Sequence, residues 1–423
     1  MSKNLRINKN NFIDQTTRIS FKFNGQQLFG YKGDTLASAL LANNIHLVGR
    51  SFKYHRPRGI MTCGSEEPNA IVQIGNDSSL TDPNVRATEI ELYEGLEASS
   101  QNCWPSVNFD IGGINNFLSP LLPAGFYYKT FMWPASFWEK YEYFIRHSAG
   151  LGKAPTKSDP DIYDHQYSHC DVLVVGGGIS GIISAKLSAE KGLDTILIDD
   201  KSFLGGSTIY QENECYKINS VNSNKWLANE IESLKNYPNL LIKNRTSLAA
   251  FHGYNYLLAR ENLTDHLSIN EKKGKVRQRL WKIRAKKVII ASGSIERPLI
   301  FSNNDRPGII LSSSIKKYID YYGVKTGKNI SLFTNNDSAY ETAISLYKSG
   351  VKVNVIVDIR KNSDSLIVKE ALELGLKVLW ESTVVDTQGY KRIKSFEVMK
   401  LSDDGNNVVG DRSKYNCDCL GIC

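Results

Sequence analysis

The chain has 423 residues, 41% of them hydrophobic and 23% charged, with a formal net charge of +8. This size and composition are typical of a globular protein with two or three domains. There is no concentrated basic stripe with interleaved aromatic residues, no 18-residue apolar run and no apolar N-terminal segment, so we expect neither a nucleic-acid partner nor a membrane span nor a signal peptide.

The seven cysteines have no disulfide-framework spacing, which fits a reducing cytoplasmic compartment. Three of them, Cys417, Cys419 and Cys423, lie close together in the sequence. Three thiols could bind a metal ion, but the spacing matches no known framework. We therefore predict no metal site.

Residues 1–95 are predicted to form a small β-rich module. Alternating polar and apolar residues flank Asn24 and Gly25, a pair typical of a hairpin turn. The sequence from Gly33 to Thr35 then predicts the start of a helix. A hairpin followed by such a helix indicates a ferredoxin-like β-grasp module.

A strongly basic loop, residues 50–59, follows that helix. We interpret it as a docking or solvent-facing surface, with a phosphate contact by Arg56 or Arg58 as the alternative.

Residues 96–168 are predicted to be an aromatic-rich connector that ends in a linker over 146–168. The aromatic residues are Trp104, Phe109, Phe126, Tyr127, Tyr128, Phe131, Trp133, Phe137, Trp138, Tyr141, Tyr143 and Phe144. We interpret them as packing between domains. The alternative is a surface buried against another subunit, where Tyr and Trp are enriched.

The strongest motif is the glycine-rich turn 176–181, GGGISG. It follows an apolar strand pattern over 170–175 and opens a predicted helix, and a second apolar run ends on Asp199 and Asp200. Glycines here permit a tight turn, close approach of a pyrophosphate and close packing of helix on sheet, while the acid accepts ribose hydroxyls. The pattern predicts a dinucleotide site, and an acid at the strand end favours NAD or FAD over NADP.

The same lobe, residues 169–423, continues with a third strand over 239–243, a polar segment of predicted β-structure from about 250 to 285, and an apolar strand over 287–291. A second βαβ unit is predicted within about 300–360. Its turn, residues 334–339, contains no glycine, and side chains there would obstruct a pyrophosphate. We therefore predict a structural half that does not bind a dinucleotide.

Several stretches together resemble the α-subunit of heterotetrameric sarcosine oxidase. They are residues 33–43 (GDTLASALLAN), 49–59 (GRSFKYHRPRG), 64–70 (GSEEPNA), 124–134 (AGFYYKTFMWP), the glycine motif, 304–308 (NDRPG) and 334–340 (TNNDSAY). The resemblance extends from Ile19 to about Asp418. It implies an α/β fold in which a β-grasp module precedes a two-dinucleotide-binding-domain flavoprotein fold.

The resemblance also implies an activity and a set of partners. Enzymes of this family contain α, β, γ and δ subunits and oxidise the N-methyl group of sarcosine with O2. They release glycine, hydrogen peroxide and either formaldehyde or a methylene group on tetrahydrofolate. FAD lies on the β-subunit and FMN at the α–β interface, whereas the α-subunit holds a structural NAD.

Carried onto this sequence, the resemblance implies NAD contacts from nine residues and no catalytic residue. They are Gly176, Gly178, Ser180 and Gly181 at the pyrophosphate, Asp199, Asp200 and Lys201 at the adenosine ribose, Ser207 near the phosphates or nicotinamide, and Thr246 near adenine.

The N-terminal module resembles the [2Fe–2S] domain of related dehydrogenases. Where those place four cysteines, this chain has Thr62, Glu67, Ala70 and Thr88, and Cys63 is one residue out of register. One thiolate cannot hold a cluster that needs four ligands. We therefore predict a scaffold without iron.

In the family, the last strand of the dinucleotide lobe and a folate-binding, aminomethyltransferase-like domain follow the position where this chain stops. The resemblance thus predicts a truncated α-subunit with an exposed sheet edge. Two alternatives remain: the α-subunit of a dye-linked amine, opine or proline dehydrogenase, and a non-catalytic assembly subunit.

Overall fold

The computed structural model describes residues 4–7, 12–121, 125, 133–148, 150, 152–211 and 217–423. They form two compact units. The first unit consists of Met1–Asp159 and Glu296–Cys423, and the second of Pro160–Ile295. The sequence-predicted boundaries at 95 and 168 stay a prediction. Most of the 124–134 stretch, with Phe126, Tyr127, Tyr128 and Phe131, lies outside the described residues, as does Cys215.

The N-terminal part of the first unit contains seven strands, five of which form one mixed sheet in the order β2-β1-β7-β5-β6. The strands are β1 (Asp14–Phe23), β2 (Gln26–Lys32), β3 (Gly49–Arg50), β4 (Pro57–Arg58), β5 (Ile71–Ile74), β6 (Asp82–Arg86) and β7 (Leu96–Ser100). Asn24 and Gly25 both have positive φ and turn β1 into β2, so the predicted hairpin is confirmed. Strands β3 and β4 form a separate hairpin within the basic loop.

Helix α1 (Leu36–Ala42) is buried along its whole length. Thr35 caps its N-terminus, because its side chain accepts the N–H of Ser38 while the Ser38 hydroxyl accepts the N–H of Thr35. The predicted helix start is therefore confirmed. Short 3₁₀ helices follow at Ile111–Asn116, Ser119–Leu121 and Ala135–Phe137, and then helix α2 (Trp138–Ser148).

The second unit is built on a six-stranded sheet in the order β12-β9-β8-β15-β14-β13. Its elements are β8 (Ile162–Val175), α3 (Ile179–Glu190), β9 (Thr195–Ile198), a 3₁₀ helix (Gly206–Tyr210), β10 (Lys217–Ile218), β11 (Val221–Asn222), α4 (Ser223–Ser233), a 3₁₀ helix (Leu234–Asn236), β12 (Leu240–Lys243), β13 (Thr246–His252), a 3₁₀ helix (Gly253–Asn255), β14 (Tyr256–Asn262), α5 (Ile269–Lys272) and β15 (Val276–Ile290). Strands β12, β9, β8 and β15 are parallel, so their carboxyl ends meet at one edge.

Strand β8 is longer than its apolar core. Residues 170–175 are mostly buried, as their apolar pattern predicts, but the strand begins at Ile162, and residues 162–168 fall in the stretch that the sequence assigned to a linker. These residues are held by pairing with β15, which begins at Val276. On its other side, β15 pairs with β14 only up to Arg284. From there to Ile290, no described strand pairs with this side of β15.

The C-terminal part of the first unit contains a five-stranded parallel sheet in the order β16-β23-β17-β18-β19 and a three-stranded antiparallel sheet, β20-β21-β22. The elements are β16 (Ile309–Leu311), α6 (Ser312–Asp320), β17 (Asn329–Thr334), α7 (Ser338–Lys348), β18 (Lys352–Asp358), α8 (Leu366–Glu373), β19 (Val378–Leu379), β20 (Ser382–Gly389), β21 (Ile393–Leu401), β22 (Val408–Asn416) and β23 (Cys419–Ile422). The predicted α/β architecture, with a β-grasp module and two βαβ units, is confirmed.

The two segments of the first unit are tied together by buried polar contacts. Arg6 donates to the carboxylate of Asp34 and to the carbonyl of Tyr322, and the Tyr318 hydroxyl donates to the carbonyl of Thr62 at 2.8 Å. The ferredoxin-like module therefore packs on the second βαβ unit within one compact body.

Candidate functional site

The glycine-rich turn lies between the carboxyl end of β8 and the start of α3. Gly176 has φ 106°, and its N–H donates to the carbonyl of Ile198 at 2.8 Å. A Cβ on Gly181 would lie 1.8 Å from the carbonyl oxygen of Gly176, a distance that no side chain can occupy. The sequence therefore needs glycine at both positions for the helix to pack against the turn.

Gly178 is the N-cap of α3, and the space beside it is open. No described atom lies within 4 Å of a Cβ built on Gly178, and no side chain caps the helix there. The first turn of α3 also contains no acidic residue. The N–H groups of the first turn thus have no side-chain cap, and with the positive end of the helix dipole they suit phosphate oxygens.

Asp199 contacts the turn itself. One carboxylate oxygen accepts the N–H of Gly177 at 2.5 Å, and the other accepts the N–H of Lys201 at 2.8 Å. Burial raises the pKa of the Asp199 carboxyl, although these two N–H groups act in the opposite direction. The sequence predicted a ribose contact here. The structure gives Asp199 a second role that the motif did not indicate, because its carboxylate holds the backbone of the glycine turn at Gly177.

The other predicted cofactor residues lie around this turn in different settings. Asp200 is partly exposed and pairs with the Lys201 ammonium at 2.9 Å, and Ser180 is exposed on the first turn of α3. Ser207 is exposed in the 3₁₀ helix that follows Gly206, and a Cβ on Gly206 would lie 3.1 Å from Gly178. These positions stay predictions, since their geometry leaves them accessible but does not identify a ligand.

Thr246 is buried, and both its N–H and its hydroxyl are already hydrogen-bonded within the chain. Its N–H donates to the carbonyl of Asp199 at 2.7 Å, and its hydroxyl donates to the carbonyl of Asn244 at 3.0 Å. The adenine contact that the resemblance implies would therefore have to come from another main-chain atom of this segment.

The second βαβ unit has an acid at the equivalent strand end, but internal partners occupy it. Asp358 is fully buried, and its carboxylate accepts the Tyr340 hydroxyl at 2.8 Å and the Arg360 guanidinium at 2.7 Å. Arg360 also donates to Asp337, the N-cap of α7, at 2.7 Å. The glycine-free turn is likewise closed on itself, because the Asn336 side chain accepts the N–H and the hydroxyl of Ser338.

The ferredoxin-like module contains a buried carboxylate at Glu67, where the resemblance to cluster-bearing domains implies a cysteine. The Glu67 carboxylate accepts four backbone N–H groups at 2.7–3.0 Å, from Met61, Thr62, Asn69 and Ala70. We call this arrangement the Glu67 nest. Burial raises the pKa of Glu67, while the four N–H groups lower it. The sequence identified Glu67 as a missing cysteine but gave no signal for the nest.

The three C-terminal cysteines lie in two different core clusters. Cys417 packs in one, and Cys419 and Cys423 pack in the other. Burial raises the pKa of Cys423 to about 11 and that of Cys419 to about 12, so these thiols are protonated at neutral pH. Across the described ranges, no helix is long and apolar enough to span a membrane, and no group of three metal-ligating side chains is found.

Two family models match parts of the chain: a 2Fe-2S iron-sulfur cluster binding domain over residues 16–103, and an FAD dependent oxidoreductase over residues 171–215. The residues of the first match do not include the ligands that an iron-sulfur cluster needs. Residues 16–103, all of which are described, include two cysteines, Cys63 and Cys103, and the Glu67 nest satisfies the local N–H groups. A cluster needs four ligands, so these residues do not fit one.

The second match fits the local geometry. The open space beside Gly178 and the uncapped N-terminus of α3 suit the pyrophosphate of a dinucleotide. The turn of Gly176 and the support from Asp199 hold the backbone in place for it.

Two curated proteins of the same name match nearly the whole chain. Sarcosine oxidase subunit alpha of Rhizobium meliloti (strain 1021) is 44% identical over 394 residues, which cover 93% of this chain and 39% of that protein. The subunit of the same name from Corynebacterium sp. (strain U-96) is 31% identical over 412 residues, covering 97% of this chain and 37% of that protein. The chain thus spans about two fifths of the length of these curated relatives.

A solved structure shares the fold. L-proline dehydrogenase from P. horikoshii superposes with a TM-score of 0.58 at 18% identity, covering 99% of this chain and 61% of that chain. At this identity the likeness concerns architecture, and it extends over both compact units. With 44% identity over nearly its whole length, the chain belongs to the family of sarcosine oxidase alpha subunits.

Proposed function

We propose that this chain acts as an alpha-subunit component of a cytoplasmic sarcosine oxidase, in which it holds a structural NAD. The reaction is the oxidative demethylation of sarcosine: sarcosine, O2 and water give glycine, formaldehyde and hydrogen peroxide. With tetrahydrofolate as acceptor, the methylene group passes to the folate instead of being released as formaldehyde. The flavins, FAD on the β-subunit and FMN at the α–β interface, supply the two-electron chemistry.

The observation that carries this proposal is the open cradle at Gly178. The N–H groups of α3 would bind the pyrophosphate, with Ser180 and Ser207 beside it. Asp199 would hold the turn in place through Gly177, and the exposed carboxylate of Asp200 is the group accessible to ribose hydroxyls. An acid at this strand end favours NAD over NADP, because a 2′-phosphate would be repelled.

The same geometry supports a non-catalytic role for the bound nucleotide. The groups identified around the turn are backbone N–H groups, hydroxyls and carboxylates that bind and orient. We assign none of them as a general base. Catalysis would then depend on partner subunits, and the chain contributes an interface.

Exposed aromatic side chains support the existence of such an interface. Trp104 and Phe109 are each 69% exposed, and Trp133 is 83% exposed. Large exposed apolar side chains of this kind are typical of surfaces that another subunit covers. This favours the second interpretation of the aromatic connector, a surface buried against another subunit, and we propose the β-subunit as its partner.

Two measurements test the proposal. Acid extraction and chromatography of the purified chain should release NAD in stoichiometric amount; stoichiometric FAD would contradict the structural-NAD assignment. Co-expression with β, γ and δ subunits should give sarcosine-dependent peroxide formation. Oxidation of proline or an opine with a dye and without O2 would instead identify a related dehydrogenase, and assembly without any activity would identify a purely structural subunit.

A further inference from the structure

The first unit contains a cleft of about 200 Å³ that is separate from the dinucleotide turn. Four segments line it: the basic loop between β3 and β4, the 3₁₀ helix Ile111–Asn116, the segment 303–306 and the turn between β20 and β21. All four belong to the same compact unit, so the first unit alone forms the walls.

Two guanidinium groups line this cleft, those of Arg56 and Arg306. Arg56 donates to the side chains of Asn303, at 2.9 Å, and Asp305, at 2.7 Å, from a single nitrogen. Arg306 donates to the Thr387 hydroxyl and to a main-chain carbonyl. A guanidinium has five N–H donors, so both groups keep donors that are not used within the described residues.

The positive charge in the cleft is only partly compensated. Asp305 is shared between Arg56 and Arg58, and both guanidinium groups lower its pKa against the effect of burial. Burial and the nearby charge of Arg56 together lower the pKa of Arg306, against the opposite effect of the Asp305 and Asp386 carboxylates. Two like charges thus approach one space, an arrangement that a bound anion would stabilise.

Neutral groups complete the walls. The Tyr390 hydroxyl accepts an N–H of Arg50 at 3.1 Å, which leaves its own proton able to point into the cleft. Arg50 is 5% exposed and is held by two hydrogen bonds to the carbonyl of Val107. The side chain of Phe117, 83% exposed, adds an apolar wall.

We propose that this cleft binds a small organic oxyanion, a carboxylate or a phosphate ester, between Arg56 and Arg306. Guanidinium forks match both oxyanions, and charge-assisted hydrogen bonds to them are the strong ones in proteins. Tyr390 would donate a further hydrogen bond, and Phe117 would contact the carbon part. The site differs from the proposed NAD site, because it lies on the first unit rather than on the glycine turn of the second.

The test is a titration of the purified full chain with inorganic phosphate and, separately, with acetate, at constant ionic strength, followed by calorimetry. We expect saturable binding of at least one anion, and the tighter of the two identifies the ligand class. Arg56→Gln should weaken that binding about tenfold or more, the effect of losing one charge-assisted contact. The matched control is Arg412→Gln, which removes the same charge from an exposed strand and should leave binding unchanged.

Arg306→Lys, which keeps the positive charge but loses the guanidinium fork, serves as a second variant, since a merely electrostatic attraction would survive it. Circular dichroism shows whether each variant is folded, and retained NAD should be equal in all of them because the glycine turn is untouched. If neither anion binds saturably, or if Arg412→Gln weakens binding as much as Arg56→Gln, the cleft is not an oxyanion site.

Discussion

Replacing Glu67 by glutamine is expected to destabilise the ferredoxin-like module, although the two side chains have nearly the same shape. One carboxylate oxygen accepts the N–H groups of Met61 and Thr62, and the other accepts those of Asn69 and Ala70. A glutamine retains one accepting oxygen and turns an NH2 group toward the second pair. One buried and one partly buried backbone N–H group therefore lose their acceptor.

The size of the effect follows from that count. A buried donor left without an acceptor costs about 1–3 kcal/mol, and two would cost about 2–6 kcal/mol if both were fully buried, so the partly buried donor moves the sum toward the lower end. The neutral side chain offsets part of this loss, since the wild-type chain buries a charge and burial raises the pKa of Glu67. We therefore expect a net loss near the lower end, about 2 kcal/mol, or a factor of about 30 in the ratio of folded to unfolded protein.

Urea unfolding at pH 7 measures this free energy, and hydrogen exchange at residues 61–70 localises it. The matched control is Glu66→Gln, the same chemical change on the neighbouring, partly exposed side chain, which should change stability by no more than about 0.5 kcal/mol. Equal stability of Glu67→Gln and the wild type, or an equal loss in Glu66→Gln, would refute the claim that the nest stabilises the module.

Burial raises the pKa of Glu67 in the folded protein, so the folded chain binds a proton more readily than the unfolded chain does. Proton binding therefore stabilises the fold at low pH, and this stabilisation is lost as pH rises through the raised pKa. Unfolding curves should therefore show the wild type gaining stability relative to Glu67→Gln as pH falls from neutral toward the ordinary glutamate range; a constant difference would contradict this. Gly178→Ala should keep the unfolding temperature, since its Cβ meets no described atom, but should lose retained dinucleotide, whereas Gly181→Ala should lower both because its Cβ would meet a carbonyl oxygen at 1.8 Å. Full retention in Gly178→Ala, measured by extraction, would place the pyrophosphate elsewhere. Asp199→Asn should reduce retention more than Asp200→Asn, since only Asp199 supports the turn through Gly177, and the reverse order would assign the main contact to the ribose.

Local patterns made much of the fold predictable. The hairpin at Asn24, the cap at Thr35 and the βαβ unit around Gly176 depend on residues near one another in sequence, where turn chemistry and apolar periodicity are readable. The second βαβ unit was predicted from the same kind of local pattern, and its helix spans Ser338–Lys348 in the structure.

Long-range pairing explains what the sequence did not reveal. The polar residues 162–168 have no strand pattern of their own, and they are in β8 because β15 lies beside them. In the sheet, strand β23 lies between β16 and β17, although more than 80 residues separate it from β17 in the sequence. No local sequence signal indicates that position. The Glu67 nest was missed for a related reason, because a lone acid in a loop gives no sign that four N–H groups converge on it.

Three positions in this architecture are candidates for holding a cofactor. They differ in whether residues of the chain already form hydrogen bonds with the groups that a ligand would contact. At the Glu67 nest, a carboxylate accepts the N–H groups; at Asp358, Tyr340 and Arg360 occupy the acid. A ligand at either place would have to displace buried, charge-assisted hydrogen bonds, each worth about 1.5–3 kcal/mol. At Gly178 no described side chain caps the helix, so the N–H groups of the first turn of α3 have no side-chain acceptor to lose. This contrast supports the glycine turn, rather than the module or the second βαβ unit, as the site of the proposed nucleotide.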